Sequence, residues 1–171
     1  DRIGVAILME TLRELHQSQL SSPHEFYFVF SSQEEVGSRG ATTAAFGIDP
    51  DVGLAVDVTA VGDTPQGIAM DVALGKGPAI KVRDQRILAD PRVVDWMVIT
   101  AEKARLPFQL EILKLGSTDA SAIQLTRAGV LAGCLSIPCR YVHTPSEMVD
   151  QQDVENAVKL MVALLSKPLE I

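Results

Sequence analysis

The chain has 171 residues, with 15 Lys plus Arg against 22 Asp plus Glu, a formal net charge of −7 and 47% hydrophobic side chains. That length and apolar content suit one globular domain with a core of its own. An acidic balance without a cluster of Lys and Arg argues against a nucleic-acid partner, and no apolar run approaches the roughly 18 residues of a membrane-spanning helix. The N-terminus lacks the pattern of a secretory signal, so the expected location is the cytoplasm. Two cysteines, Cys134 and Cys139, are too few for a disulfide framework and read as core residues.

The opening stretch, DRIGVAILMETLREL, puts Val5, Leu8, Met9, Leu12 and Leu15 at helical spacing. A start without methionine, inside a helix, implies that residues precede it. Residues 17–24 are polar, contain Pro23 and read as a loop. Residues 26–30, FYFVF, are apolar without alternation, which predicts a strand buried on both faces, and they run into SSQEEVGSRG. A short helix is expected over 41–46 and a second buried strand over 53–58, GLAVDV, with an acid toward its end. Residues 60–90 are loop-rich, with one short strand in GKGPAIKVRD after a tight glycine turn. Asp90 as N-cap and Pro91 at the first helical position open a helix through Ala104, with Val94, Met97, Val98 and Ala101 as its apolar stripe. A strand over 109–113, a helix over 119–127, a strand over 130–137 and a helix over 151–165 capped by Asp150 complete the order. Helices alternating with apolar strands predict an α/β fold: a three-layer sandwich with a largely parallel central sheet flanked by helices. Ligands of such sheets collect beyond the carboxyl ends of the strands.

The pair Glu34 and Glu35, then Asp57, then His143 follow apolar strands or lie near strand ends, a placement that brings distant side chains to one rim. Carboxylates and an imidazole suit zinc, cobalt or manganese, and the lack of thiolates at the rim argues against a structural zinc. A carboxylate left over beside a ligand can act as general base on an activated water. Plainer readings stay open for each: a solvated Glu-Glu loop, an Asp57 satisfied by backbone amides, a loop histidine. His16 and His24 are assigned to solvent.

Five segments, QEEVGSRGA, GLAVDVT, GKGPAIKVRD, GSTDASAI and CRYVHTPSEMVD, occur in this order over nearly the whole chain. Together they resemble the tetrahedral, or TET-type, metalloaminopeptidases, glutamyl or deblocking aminopeptidases of which some carry the name endoglucanase. The resemblance implies a cytoplasmic enzyme that hydrolyses N-terminal residues from peptides with two divalent metal ions, zinc or cobalt or else manganese, and that assembles into a homo-oligomer, a dodecamer. Carried over residue by residue, it makes Glu34 the general base, Glu35 and His143 ligands of one metal and Asp57 a ligand of the other. The family's bridging aspartate, the first of a DDRxG motif, falls on the residue before Asp1. A histidine of an upstream HxD motif and a small inserted dimerisation domain also have no counterpart, so residues 1–171 are expected to form part of a catalytic domain.

Gly116, Thr118 and Asp119 match a glycine-rich segment near the family's substrate pocket, although Ser117 stands in place of a second glycine and Gln124 where many members have histidine. A simple helix N-cap explains the same segment equally well. Two other functions remain open from the residues: a metal-dependent carboxypeptidase or deacylase of the same fold, and a truncated, non-catalytic interaction domain.

Overall fold

The computed structural model describes residues 1–19 and 22–169. Of the expected 17–24 loop, Leu20 and Ser21 lie outside the described residues. Helix α1 (Arg2–Gln17) starts where the Asp1 carboxylate accepts the Gly4 N–H at 2.9 Å, a side-chain cap on an otherwise unpaired donor. A one-turn 3-10 helix (Glu34–Val36) and α2 (Arg39–Ile48) lead to β1 (Val52–Ala60) and β2 (Ala79–Arg83). Then come α3 (Pro91–Ala104), β3 (Gln109–Ile112), α4 (Asp119–Gln124), β4 (Leu131–Arg140), the short β5 (Met148–Val149) and α5 (Gln151–Leu165). Asp90 and Asp150 cap α3 and α5 as the sequence predicts.

The strands form one sheet in the order β1, β4, β2, β3, with β5 attached to β4. Pairs β1/β4 and β2/β3 are parallel, while β2/β4 and β4/β5 are antiparallel over two residue pairs each, so the sheet is largely parallel, as expected, with short antiparallel joins. The α/β class and the flanking helices hold. Among the described residues no helix is long and apolar enough to cross a membrane.

The two faces of the sheet differ in chemistry, and that difference positions the site. Register pairs Leu54 with Gly133, Val56 with Leu135 and Val58 with Ile137 on one face, where these residues meet α1, α3 and α5 in an aliphatic core. Ile80, Leu135, Ile137, Val93, Met97, Leu160 and Ile7 are all fully buried there, each contributing about 1.5–3 kcal/mol of transfer free energy. The opposite face carries Ala55, Asp57 and Thr59 on β1, Ala132, Cys134 and Ser136 on β4, and Lys81 and Glu111 on β2 and β3. It is covered by α4, through Ala120 and Ile123 against Ala55, Ala132 and Cys134. Helix α2 packs on α4. One face is therefore a core, and the other is small and polar.

Two expectations fail. Residues 26–30 form no strand and are largely exposed, with Tyr27 at 58% and Phe30 at 52% of full accessibility. An apolar run is buried only where neighbours cover it, and no described strand pairs with this one. In α1 the buried residues are Gly4, Ile7 and Thr11, whereas Val5, Met9 and Leu12 of the expected stripe face solvent. The helix thus has a second apolar side that the described residues leave open. Both cysteines are free and buried, as expected.

Candidate active site

Glu34 and Glu35 sit where the chain reverses tightly between the extended segment 26–30 and α2. Left-handed backbone at Gln33, Gly37 and Ser38 makes the turn, and the N–H groups of Gly37 and Ser38 both donate to the Glu34 carbonyl at 2.9 Å. Gly40 lets the turn close. A Cβ there would come within 2.5 Å of the Ser32 backbone, and the Gly40 N–H instead donates to the Ser32 carbonyl at 2.9 Å. The glycine of SRG thus holds the ends of the EE segment together, a role its spacing alone did not disclose.

His143 follows β4 in a turn where Tyr141 and His143 are both left-handed, the Thr144 hydroxyl donates to the Tyr141 carbonyl at 2.7 Å and the His143 N–H donates to Glu147 Oε1 at 2.8 Å. That turn brings His143 Nε2 to 3.3 Å from Glu35 Oε2. Both side chains are open to solvent, at 73% and 70% exposed, so an ion bound between them is accessible to water and substrate.

Asp57, partly buried on β1, accepts the N–H of its own neighbour Val58 at 2.8 Å. Burial pushes its carboxyl up to about 6 from an ordinary 3.8, against the pull of that hydrogen bond, and the carboxylates of Glu34 and Asp119 push in the same direction. Glu34 is raised as well, by burial first and then by Asp119 and Glu35, while a 3.4 Å hydrogen bond from Ser38 and the nearness of His143 oppose the shift. Asp119, at the start of α4, accepts a hydrogen bond from the Ser31 hydroxyl through Oδ2. Its Oδ1 is buried with no hydrogen-bond partner among the described residues. The charge of Asp119 thus acts on both Glu34 and Asp57, and that of Glu34 on Asp57, a repulsion that a cation would relieve.

The structure brings Glu35 and His143 into contact and sets Glu34 near Asp57. It does not unite all of them: among the described residues no group of three or more His, Cys, Asp or Glu side chains is placed to hold a metal ion. Asp119, read from sequence as part of a pocket or a cap, is a fourth acid beside Glu34, Glu35 and Asp57. Ser31 and Ser38, which hold Asp119 and Glu34, were missed because lone serines carry no spacing signal. The described histidines His16 and His24 are exposed, as assigned.

Carboxylates and a histidine gathered around β1 and the turn after β4 place this chain among α/β domains that carry their chemistry beyond strand ends. The particular family follows from comparison. The chain belongs to the M42 glutamyl aminopeptidase family, whose profile matches residues 1–160. A protein of Acetivibrio thermocellus is 47% identical over 162 residues, covering 95% of this chain and 48% of its own length. Among solved structures, an aminopeptidase from the archaeon Desulfurococcus kamchatkensis is 43% identical with a TM-score of 0.90, over 99% of this chain and 48% of that one. The TET1 peptidase of Pyrococcus horikoshii, described as able to assemble into a tetrahedron or a large octahedral shell, is 34% identical with a TM-score of 0.83, over 96% and 47%. The chain therefore spans about half the length of the relatives it matches.

Proposed function

We propose that this chain supplies the general base and part of the metal-binding residues of a metal-dependent aminopeptidase. The observation that carries this reading is the contact of Glu35 with His143 at 3.3 Å beside Glu34 on the same turn. An imidazole nitrogen and a carboxylate oxygen at that separation suit zinc, cobalt or manganese, and the acids crowded around Asp57 suit a second cation. Because no three ligands gather among the described residues, we propose that residues outside 1–171 complete both sites, and that 1–171 is part of one catalytic domain. A divalent cation in such a site lowers the pKa of water toward neutrality and polarises a carbonyl.

The chain's own residues then divide the work. Glu35 and His143 hold position, since a ligating carboxylate has its lone pairs engaged. Glu34, the neighbouring acid, takes the proton from the attacking water and delivers it to the departing amine. Its raised pKa brings it closer to the working pH, which favours both transfers. The substrate is a peptide with a free N-terminus, and the assembled enzyme is a cytoplasmic homo-oligomer of twelve subunits.

The test uses the intact enzyme. Glu34→Gln is expected to lower kcat by at least about a hundredfold with bound metal retained. Glu35→Gln and His143→Ala are each expected to lose metal, read by elemental analysis. Equal metal loss in Glu34→Gln and Glu35→Gln would overturn the division of roles. A panel of amino-acid anilides beside N-blocked and C-terminally blocked peptides checks the substrate class: turnover that persists on blocked N-termini replaces the aminopeptidase with a deacylase or carboxypeptidase.

A further inference from the structure

Beneath the candidate site, on the polar face of the sheet, lies a cluster of charge that the proposed reaction does not use. Lys81 and Glu111 are register partners on β2 and β3, and Lys81 Nζ donates to Glu111 Oε1 at 2.5 Å, both side chains fully buried. Asp84, just past β2 and equally buried, has Oδ2 at 3.6 Å from the same ammonium. Burial disfavours the Lys81 ammonium, yet the Cys134 sulfur and the Glu111 and Asp84 carboxylates outweigh it and raise its pKa. Two carboxylates against one ammonium leave one negative charge over. Glu111 Oε2 and Asp84 Oδ2 are buried without a hydrogen-bond partner among the described residues.

Such a triad is a costly way to fill a core, because apolar side chains of similar volume would serve stability as well or better. What it does provide is connection. The Thr59 hydroxyl, two residues beyond Asp57 on the same face of β1, donates to Glu111 Oε1 at 2.7 Å. At the other end, Asp84 Oδ1 accepts the N–H groups of Arg86 and Ile87 and the Ser117 hydroxyl, the last at 3.0 Å. Ser117 lies two residues before Asp119, whose carboxylate is bonded by Ser31, three residues before Glu34. Polar contacts joined by two short backbone links, Ser117 to Asp119 and Ser31 to Glu34, therefore run from the strand of Asp57, through the triad, to the turn of Glu34.

We propose that the buried triad of Lys81, Glu111 and Asp84 is a positioning device that locks the carboxyl-terminal half of β1 to the loop 115–119, and so fixes Asp57 relative to Asp119 and Glu34. The role rests on the proposed hydrolysis for its purpose, although the mechanical coupling exists without it. Lys81, Glu111, Asp84 and Thr59 touch no reacting atom in this scheme. Charge-bearing hydrogen bonds suit the task because they are directional, whereas an apolar contact tolerates sliding.

The decisive variants are Thr59→Val, which keeps the shape and removes the hydroxyl, and Thr59→Ser, which restores it. In the intact protein, amide hydrogen exchange across 115–121 is expected to rise by about threefold or more in Thr59→Val and to return to the parent rate in Thr59→Ser. Turnover is expected to show kcat reduced by about tenfold in Thr59→Val with KM little changed, and again recovered in Thr59→Ser. Ser117→Ala, breaking the chain at its far end, should give the same kcat defect, and the double variant should be no worse than either single one. Unchanged exchange in Thr59→Val, an equal defect in Thr59→Ser or additive losses in the double variant would each overturn the proposal. If the unmodified enzyme shows no peptidase turnover, the aminopeptidase reading falls, while the exchange measurement still decides the coupling.

Discussion

A carboxylate taken out of water holds its proton more tightly than the same group in the unfolded chain, and Asp57 is in that position, its pKa raised to about 6 by burial first and by the charges of Glu34 and Asp119 after it. Its contribution to stability is therefore complete below about pH 4 and is lost as the pH rises through 6. The loss across that window is roughly 3 kcal/mol for the metal-free protein. Glu34, raised in the same sense, adds to the slope. Asp57→Asn keeps the acceptor for the Val58 N–H and never ionises, so urea unfolding between pH 4 and 7 should show a flatter descent and a variant more stable than the parent at pH 7. A parent whose urea midpoint stays constant over this range would contradict the burial of the Asp57 carboxyl. At this scale the sequence offered Glu34, Glu35, Asp57 and His143 as candidates, and it showed Asp119 only as part of a pocket segment or a helix cap. It did not disclose Lys81 or Glu111, whose charges look solvent-facing in AIKVR and QLEI until the register turns both onto one buried face.

Helices and strands were legible where burial follows from local pattern. Strand β1 and helices α3 and α5 lie close to their expected bounds because caps and apolar runs define them, Asp90 with Pro91 being the clearest case. The short antiparallel join of β2 to β4 was not legible, since the long connection from β1 to β2 permits either orientation of β2 and only packing against β4 selects this one. Packing also explains Gly133, which the sequence shows only as a weak strand residue. A Cβ at Gly133 would lie 2.7 Å from Val93 Cγ1 and 3.3 Å from Leu54 Cδ2, so the glycine is what lets α3 rest against β4. Gly133→Ala is expected to cost about 1–3 kcal/mol through this overlap. Val93→Ala opens the space it needs, so the double variant should lose less than the sum of the two single losses in urea unfolding. Additive losses would mean that the overlap is relieved elsewhere and that the close approach of α3 does not depend on this glycine.

At the scale of the molecule, two apolar surfaces are left open by the described residues. One is the side of α1 bearing Val5, Met9 and Leu12, and the other is the extended segment with Phe26, Tyr27, Val29 and Phe30. Strand β1 adds an edge, since among the described residues it pairs with β4 alone. Exposed aromatic chain in extended form and an unpaired strand edge are both templates for association. A protein consisting of residues 1–171 alone should therefore bind a hydrophobic dye strongly in its folded state and self-associate as concentration rises. The triple variant Met9→Lys, Tyr27→Lys and Phe30→Glu removes apolar area at positions that are half or more exposed, so it should suppress both effects with little change in unfolding midpoint. The same fragment should hold at most about one divalent ion, weakly, because Glu35 and His143 provide only two ligands and water competes for every other position. A calorimetric titration with cobalt measures this directly. Two tightly held ions on residues 1–171, with a monomer that ignores the dye, would show that both the site and the surface are complete within this stretch and would remove the need for ligands from elsewhere.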